Sequence, residues 1–170
     1  FILVVQFLGA IIERGRLGDY EIDLIVGPKN KGAILSIIDR LSRECILEKL
    51  DDKTSLSACG KTIESLLLQD KKVYTITSDN GTEFTDHEII SKELKIDYYF
   101  AHPYASYERG SIENLNGLVR QYIPKGTEFT NIENTTLKEV QNKLNNRPRK
   151  VLGFLTPIEY TKRYYNEIKK

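Results

Sequence analysis

From Tyr20 to Val26 apolar and other residues alternate, so that Tyr20, Ile22, Leu24 and Val26 share one face of a strand and Glu21, Asp23 and Ile25 the other. Lys29-Asn30-Lys31-Gly32 reads as a turn into a second strand, Ala33 to Asp39, and Arg43 to Leu50 as a third, which together make an antiparallel meander. The period then lengthens. Leu56, Cys59, Ile63, Leu66 and Leu67 recur at helical spacing and predict a helix from about Ser55 to Gln69. Val73 to Thr77 predicts a short strand that stops at Ser78-Asp79-Asn80-Gly81. Thr85 and Glu88 read as a capping box opening a helix to about Leu94, before a fifth strand from Ile96 to Phe100.

Helices dominate the rest. One is predicted from about Glu108 to Ile123 and another from Thr136 to Asn145, stopped by Asn146-Arg147-Pro148. A last helix opens at Thr156-Pro157-Ile158-Glu159, with a cap, a proline in the first turn and a returning glutamate. Three strands, then helix, strand, helix, strand and further helices describe an α/β three-layer architecture with a mixed five-stranded sheet.

Composition changes this picture little. The chain has 170 residues, 40% of them apolar, and is long enough for one well-buried domain. Cys45 and Cys59 are too few for a disulfide framework and match no zinc spacing, so both read as small apolar fillers in a reducing setting. Phe1 to Ile12 is almost wholly apolar, yet too short to span a bilayer and without a basic leader; it reads as a buried strand or a fragment boundary and is left unassigned. No membrane association is expected. Charge is uneven: residues 1–100 carry 13 Lys and Arg against 17 Asp and Glu, whereas 101–170 carry 12 against 7. A basic second half suits a polyanion such as DNA, but so modest an excess is more often only a solvated face.

The candidate chemistry rests on three acids. Asp23 lies mid-strand, where a carboxylate is costly unless it faces a polar site. Asp79 follows the carboxyl end of another strand, where α/β sheets place ligands. On the long helix, Ile112, Leu115, Val119, Tyr122 and Ile123 form an apolar face, and Arg109, Glu113, Asn116 and Arg120 fall together on the opposite one. Three converging carboxylates repel unless cations are present, and an all-oxygen set favours Mg²⁺ or Mn²⁺. Two such ions about 3.5–4 Å apart serve in-line phosphoryl transfer. Taken singly, an acid before Asn-Gly such as Asp79 is usually a turn residue, and an acid near arginines on a helix face such as Glu113 is usually a solvated ion pair. Glu21 reads either as support for Asp23 or as a rim residue; Asp19 reads as a turn acid and Glu83 as a surface acid. No P-loop or serine or cysteine nucleophile motif occurs.

Three stretches carry a resemblance. Gly18-Asp19-Tyr20-Glu21-Ile22-Asp23, then Thr77-Ser78-Asp79-Asn80-Gly81-Thr82-Glu83-Phe84, then His102-Pro103-Tyr104 through Glu108-Arg109-Gly110-Ser111-Ile112-Glu113-Asn114 to Arg120-Gln121-Tyr122 resemble the motifs of bacterial insertion-sequence transposases of the IS-thirty type. These belong to the DDE transposase and retroviral-integrase superfamily. Asp79 and Glu113 are separated by 33 residues, close to the superfamily's spacing. Asn145 to Lys150 and Leu152 to Pro157 are similar to the family's C-terminal signature, so the resemblance covers about residues 13–165. It departs at Tyr20, where the family usually has Trp, and at Asp19, where it has His.

The resemblance implies a ribonuclease-H-like fold spanning 13–170, with a core over 18–125 and a C-terminal helical extension over 126–170. It places the catalytic and metal-holding acids on Asp23, Asp79 and Glu113, with two Mg²⁺ or Mn²⁺ ions. Double-stranded DNA, both insertion-sequence ends and target, would meet Arg109, Asn116, Arg120, Lys125, Arg147, Arg149 and Lys150. A homo-oligomer assembled on DNA, in the bacterial cytoplasm and associated with the nucleoid, is implied too. The family's upstream helix-turn-helix is not within these residues. Two alternatives stay open: a non-catalytic remnant that regulates by dimerisation or DNA binding, and a ribonuclease-H-like nuclease that only cleaves.

Overall fold

The computed structural model describes residues 15–102 and 106–168; the apolar segment 1–12 and the Pro103-Tyr104 part of the third motif lie outside the described residues. The five strands are β1 (Asp19–Val26), β2 (Ala33–Asp39), β3 (Cys45–Leu50), β4 (Thr75–Ser78) and β5 (Asp97–Phe100). They form one sheet in the order β3-β2-β1-β4-β5. β1, β2 and β3 pair antiparallel, whereas β4 joins β1 and β5 joins β4 in parallel, giving the expected mixed sheet. The helices are α1 (Ser55–Leu67), α2 (His87–Leu94), α3 (Gly110–Tyr122), α4 (Asn134–Asn145) and α5 (Pro157–Ile168).

Both faces of the sheet are buried, which is why every residue of the central strand β2 is inaccessible. Tyr20, Ile22, Leu24, Leu35 and Ile37 pack against Ala58, Cys59 and Leu66 of α1 and Ile90 of α2. On the other side Ile25, Ile34, Ile38 and Leu47 pack against Ile112, Leu115 and Val119 of α3 and Leu137, Val140 and Leu144 of α4. Pleating therefore sends Glu21, Asp23 and Ile25 to the face that α3 covers, so polar and apolar neighbours share that side. Cys45 and Cys59 are free and buried, as fillers should be.

Backbone details hold β1 in place. Gly18 has φ +103, and a Cβ there would lie 2.3 Å from the Lys72 carbonyl oxygen, so only glycine permits the pinch between β1 and the approach to β4. The Gly18 carbonyl accepts the Tyr74 N–H at 2.8 Å. At the far end of β2, the Asp39 carboxylate accepts the N–H groups of Gly18, Leu41 and Ser42 at 2.7, 3.0 and 2.7 Å. The β2–β3 turn thus closes through a side chain.

Three sequence expectations need correction. Thr85 and Glu88 do not form a capping box: Thr82–Phe84 winds into a 3-10 turn around buried Phe84, the Thr85 hydroxyl donates to the Thr82 carbonyl, and α2 starts only at His87. On α1, Leu56 and Leu67 point outward, 69% and 65% exposed, and the inner face is completed by Ala58, Thr62 and Ser65. The small side chains let α1 approach the sheet, a fit that apolar counting misses. Tyr122 is partly exposed rather than part of the α3 anchor. The box at α5 is real, with Thr156 N–H on Glu159 at 2.8 Å and Glu159 N–H on the Thr156 hydroxyl at 3.2 Å.

Candidate active site

Parallel pairing of β1 with β4 sets Glu21 opposite Thr77, which places Asp23 and Asp79 near the carboxyl ends of neighbouring strands. Asp23 sits inside the β1–β2 ladder, opposite Ser36. Asp79 lies one residue past β4, where its Oδ1 accepts the Gly81 N–H at 3.1 Å. It is therefore a turn residue and a site residue at once.

One guanidinium joins the pair. Arg109, at the start of α3, places Nη2 3.1 Å from Asp23 Oδ2 and Nη1 3.2 Å from Asp79 Oδ2. Asp23 also accepts the Asn116 side-chain N–H at 2.8 Å, and Asn116 Oδ1 accepts the Ser36 hydroxyl at 2.8 Å. Asp23 thus lies between an arginine and an amide that both arrive from α3. Burial pushes its carboxyl up from the ordinary range, Arg109 pulls it down, and the neighbouring Asp79 pushes it up again. The net direction is upward, because burial outweighs the guanidinium.

Glu113 lies on the same helix, one turn after Arg109, and is exposed. Among the described residues no group of three His, Cys, Asp or Glu side chains is arranged to hold a metal ion; Asp23 and Asp79 meet at Arg109, and Glu113 follows one turn later on the helix face that carries Arg109 and Asn116. The remaining expected contacts are scattered. Arg120 donates to the Val26 carbonyl at 3.2 Å and lies over the Phe129 ring. Arg147 reaches Gln121 at 3.2 Å, Arg149 donates to the Leu144 carbonyl at 3.1 Å, and Lys125 and Lys150 are exposed. Arg149 lines a cleft with Arg43, Ser111 and Asn114 behind α3.

The sequence reading did not fix two groups around the site. Glu108 is buried and accepts both the His102 N–H at 2.8 Å and its ring Nδ1 at 3.1 Å, clasping the two ends of the segment that leads into α3. No periodicity signals such a clasp. Glu21, left between two readings above, is fully buried, with its carboxylate on the Ile112 N–H at 2.8 Å and beside Arg40 at 3.2 Å. Its alternation with Asp23 was the one available signal.

The profile of the integrase core domain family matches residues 15–106, more than half of the chain and both aspartates. The chain belongs to the integrase core domain family. A transposase for insertion sequence element IS4351 from Bacteroides fragilis is 48% identical over 152 residues, which cover 89% of this chain and 47% of that protein. The transposase InsI for element IS30A from Escherichia coli (strain K12) is 38% identical over 154 residues, 90% of this chain and 40% of that one. The chain thus spans less than half the length of these relatives. The catalytic core domain of HTLV-2 integrase, solved in complex with magnesium in a trimeric form, superposes with a TM-score of 0.64 at 16% identity, covering 84% of this chain and 94% of that one. The fold of this integrase core is ribonuclease-H-like. Among the described residues no helix is long and apolar enough to cross a membrane.

Proposed function

We propose that this chain is the catalytic core of a DDE transposase, cleaving DNA at insertion-sequence ends and joining the freed 3′-OH to a target strand. The observation that carries this reading is the convergence of Asp23 and Asp79, from neighbouring parallel strands, on a single cationic group. Two carboxylates that gather around a guanidinium offer the donor set a hard divalent cation needs. Asp23, Asp79 and Glu113 would hold Mg²⁺ or Mn²⁺ there, two ions in the complete site. When bound, such ions supply Lewis acidity to the scissile phosphate and lower the pKa of the attacking hydroxyl.

The chain's own residues do the rest. Asn116 and Ser36 orient Asp23, and the Asp79 turn fixes one oxygen on Gly81 while leaving the other toward the site. Arg109, Asn116, Arg120, Lys125, Arg147, Arg149 and Lys150 are assigned to DNA, with Arg109 and Asn116 in direct contact with the acids; phosphate contacts of this kind make binding salt-dependent. Assembly as a homo-oligomer on insertion-sequence and target DNA, in the bacterial cytoplasm close to the nucleoid, completes the reading. The domain division follows, with the core over 18–125 and a helical extension over 126–170.

A second reading has its own observation. Arg109 occupies both aspartates, as suits a chain that binds DNA or its full-length relatives without cutting. Duplex oligonucleotides bearing an insertion-sequence end, incubated with Mg²⁺ or Mn²⁺, separate the two. Cleavage and joining that disappear in Asp79→Asn and Glu113→Gln, with folding retained, support the enzyme. Activity unchanged in both variants sinks the triad assignment, and DNA binding without cleavage supports the second reading. Cleavage without joining marks a nuclease.

A further inference from the structure

The most deeply buried charge near the site belongs to none of the residues assigned to the reaction. Glu21 is completely inaccessible, in the middle of β1, two residues before Asp23 and on the same face. Its Oε2 accepts the backbone N–H of Ile112 at 2.8 Å, across 91 residues of chain. Ile112 is the third residue of α3, and the first-turn N–H groups of a helix have no partner within it. The residue that ordinarily supplies the cap is here Arg109, whose side chain makes no capping bond and is instead engaged by Asp23 and Asp79. Ser111 and Ile112 are buried, so water does not replace the cap. The acceptor comes from the neighbouring strand.

The spacing of a second contact matters. Asp23 binds Asn116, so Glu21–Ile112 and Asp23–Asn116 are two rungs between the same strand and the same helix. Two residues of strand advance about 6.6 Å and four residues of helix about 6 Å, so the rungs match in length and run in the same direction. One rung would let α3 pivot; two fix both its slide and its rotation. A slip of one residue would translate α3 by about 1.5 Å and turn it by about 100°, carrying Glu113 and Asn116 away from Asp23.

Stability alone does not account for a glutamate at this position. Its charge is balanced by Arg40, buried beside it with Nε at 3.2 Å, and buried pairs of this kind are commonly replaced by apolar residues without loss of stability. Asp39, the other buried acid of this meander, satisfies its oxygens within its own turn and on Gly18, and reaches no helix. Glu21 differs in having its directional bond to the helix that bears Arg109, Glu113 and Asn116.

We propose that Glu21 is a positioning residue of the candidate site, a helix cap supplied from β1 that sets where α3 begins and so how Glu113 and Asn116 face Asp23. The role in reaction rests on the transposase reading; the capping role does not. The test combines residue-level amide exchange of the protein without DNA with cleavage kinetics on an insertion-sequence end. In Glu21→Ala, exchange at residues 110–114 accelerates by about tenfold more than in β1–β3, and kcat falls while KM for DNA holds. Glu21→Gln keeps an acceptor for Ile112, leaves that exchange within about threefold, and retains most of the rate.

Where Glu21→Ala does not fold, the double variant Glu21→Leu/Arg40→Leu decides. It keeps a packed interior and a similar Tm, yet loses first-turn protection of α3 and kcat together. Acceleration spread evenly over the core, or an α3 unchanged in a folded variant without the acceptor, overturns the cap. Full kcat with a loosened α3 overturns the positioning role. A wild-type chain that cuts no DNA refutes the transposase reading instead, and the exchange experiment still decides whether Glu21 caps α3.

Discussion

The acids carried by strands and the acid carried by a helix are held in different ways. Asp23 and Asp79 are located by a hydrogen-bonded ladder, so their separation follows from the register of β1 and β4. Glu113 is located by a docked helix, and its place depends on how α3 sits on β1 through Glu21, Asp23, Asn116 and the Ile112–Leu115–Val119 face. Arg109 joins both strand acids, while Glu113, one turn further along α3, is exposed. Backbone pairing positions a side chain once the sheet forms, whereas a docked helix can be retuned by the contacts on its inner face.

The largest effect should test whether the two kinds of acid serve one reaction. Asp79→Asn and Glu113→Gln are each expected to lower cleavage by about a thousandfold or more; circular dichroism should show both folded. Loss in only one would separate the strand pair from the helix acid functionally. Asn116→Ala removes the bridge between Asp23 and Ser36 and should cost about 1–3 kcal/mol of unfolding free energy, read by urea titration. Arg109→Ala bears on the shared cation: with the competing guanidinium gone, Mn²⁺ binding followed by electron paramagnetic resonance should tighten by about tenfold, and metal-free Tm should fall by a few degrees. Unchanged Mn²⁺ affinity would mean that Arg109 and a metal do not compete for Asp23 and Asp79.

A smaller effect follows from Asp23 alone. Its carboxyl is raised by burial, so the protonated form favours the fold. That stability is complete below the ordinary Asp value of about 3.9 and is lost as pH rises through the raised value in the folded protein. In chelator, the Tm of Asp23→Asn relative to wild type should therefore climb as pH rises above about 4 and level off once the raised value is passed; a pH-independent difference would contradict the direction. Smallest of all, Leu67→Gln on exposed α1 should shift stability by no more than about 0.5 kcal/mol by the same urea titration.

Much of this was legible because period and burial coincide. The alternation over Tyr20–Val26 set Asp23 on one strand face with Glu21 and Ile25, which in the structure is the face under α3, and the Asp79-Asn80-Gly81 turn placed the second acid just past β4. The motif wording supplied what periodicity did not, namely the family to which the chain belongs. What stayed hidden depended on partners distant in sequence. Arg109 and Asn116 both read as DNA contacts, yet the structure sets them on the acids, because a helix-face argument says which residues neighbour one another and nothing about what lies opposite. Glu21 was ambiguous for the same reason: its partners, Arg40 and Ile112, come from the β2–β3 turn and from a helix 91 residues away. The small inner face of α1 was missed because Ala58, Thr62 and Ser65 fit by size rather than by hydropathy.

One further feature concerns the open side of the sheet. β3 is an edge strand, and its unpaired backbone groups invite another chain to pair. On α4, Asn145 gives its amide oxygen to the Cys45 N–H and its amide nitrogen to the Cys45 carbonyl, both at 2.8 Å, and Gln141 accepts the Leu47 N–H at 2.9 Å. These side-chain amides imitate a sixth strand. α4 thus covers this edge: a chain ended at residue 125 is expected to expose β3 and to aggregate through it, as light scattering would read.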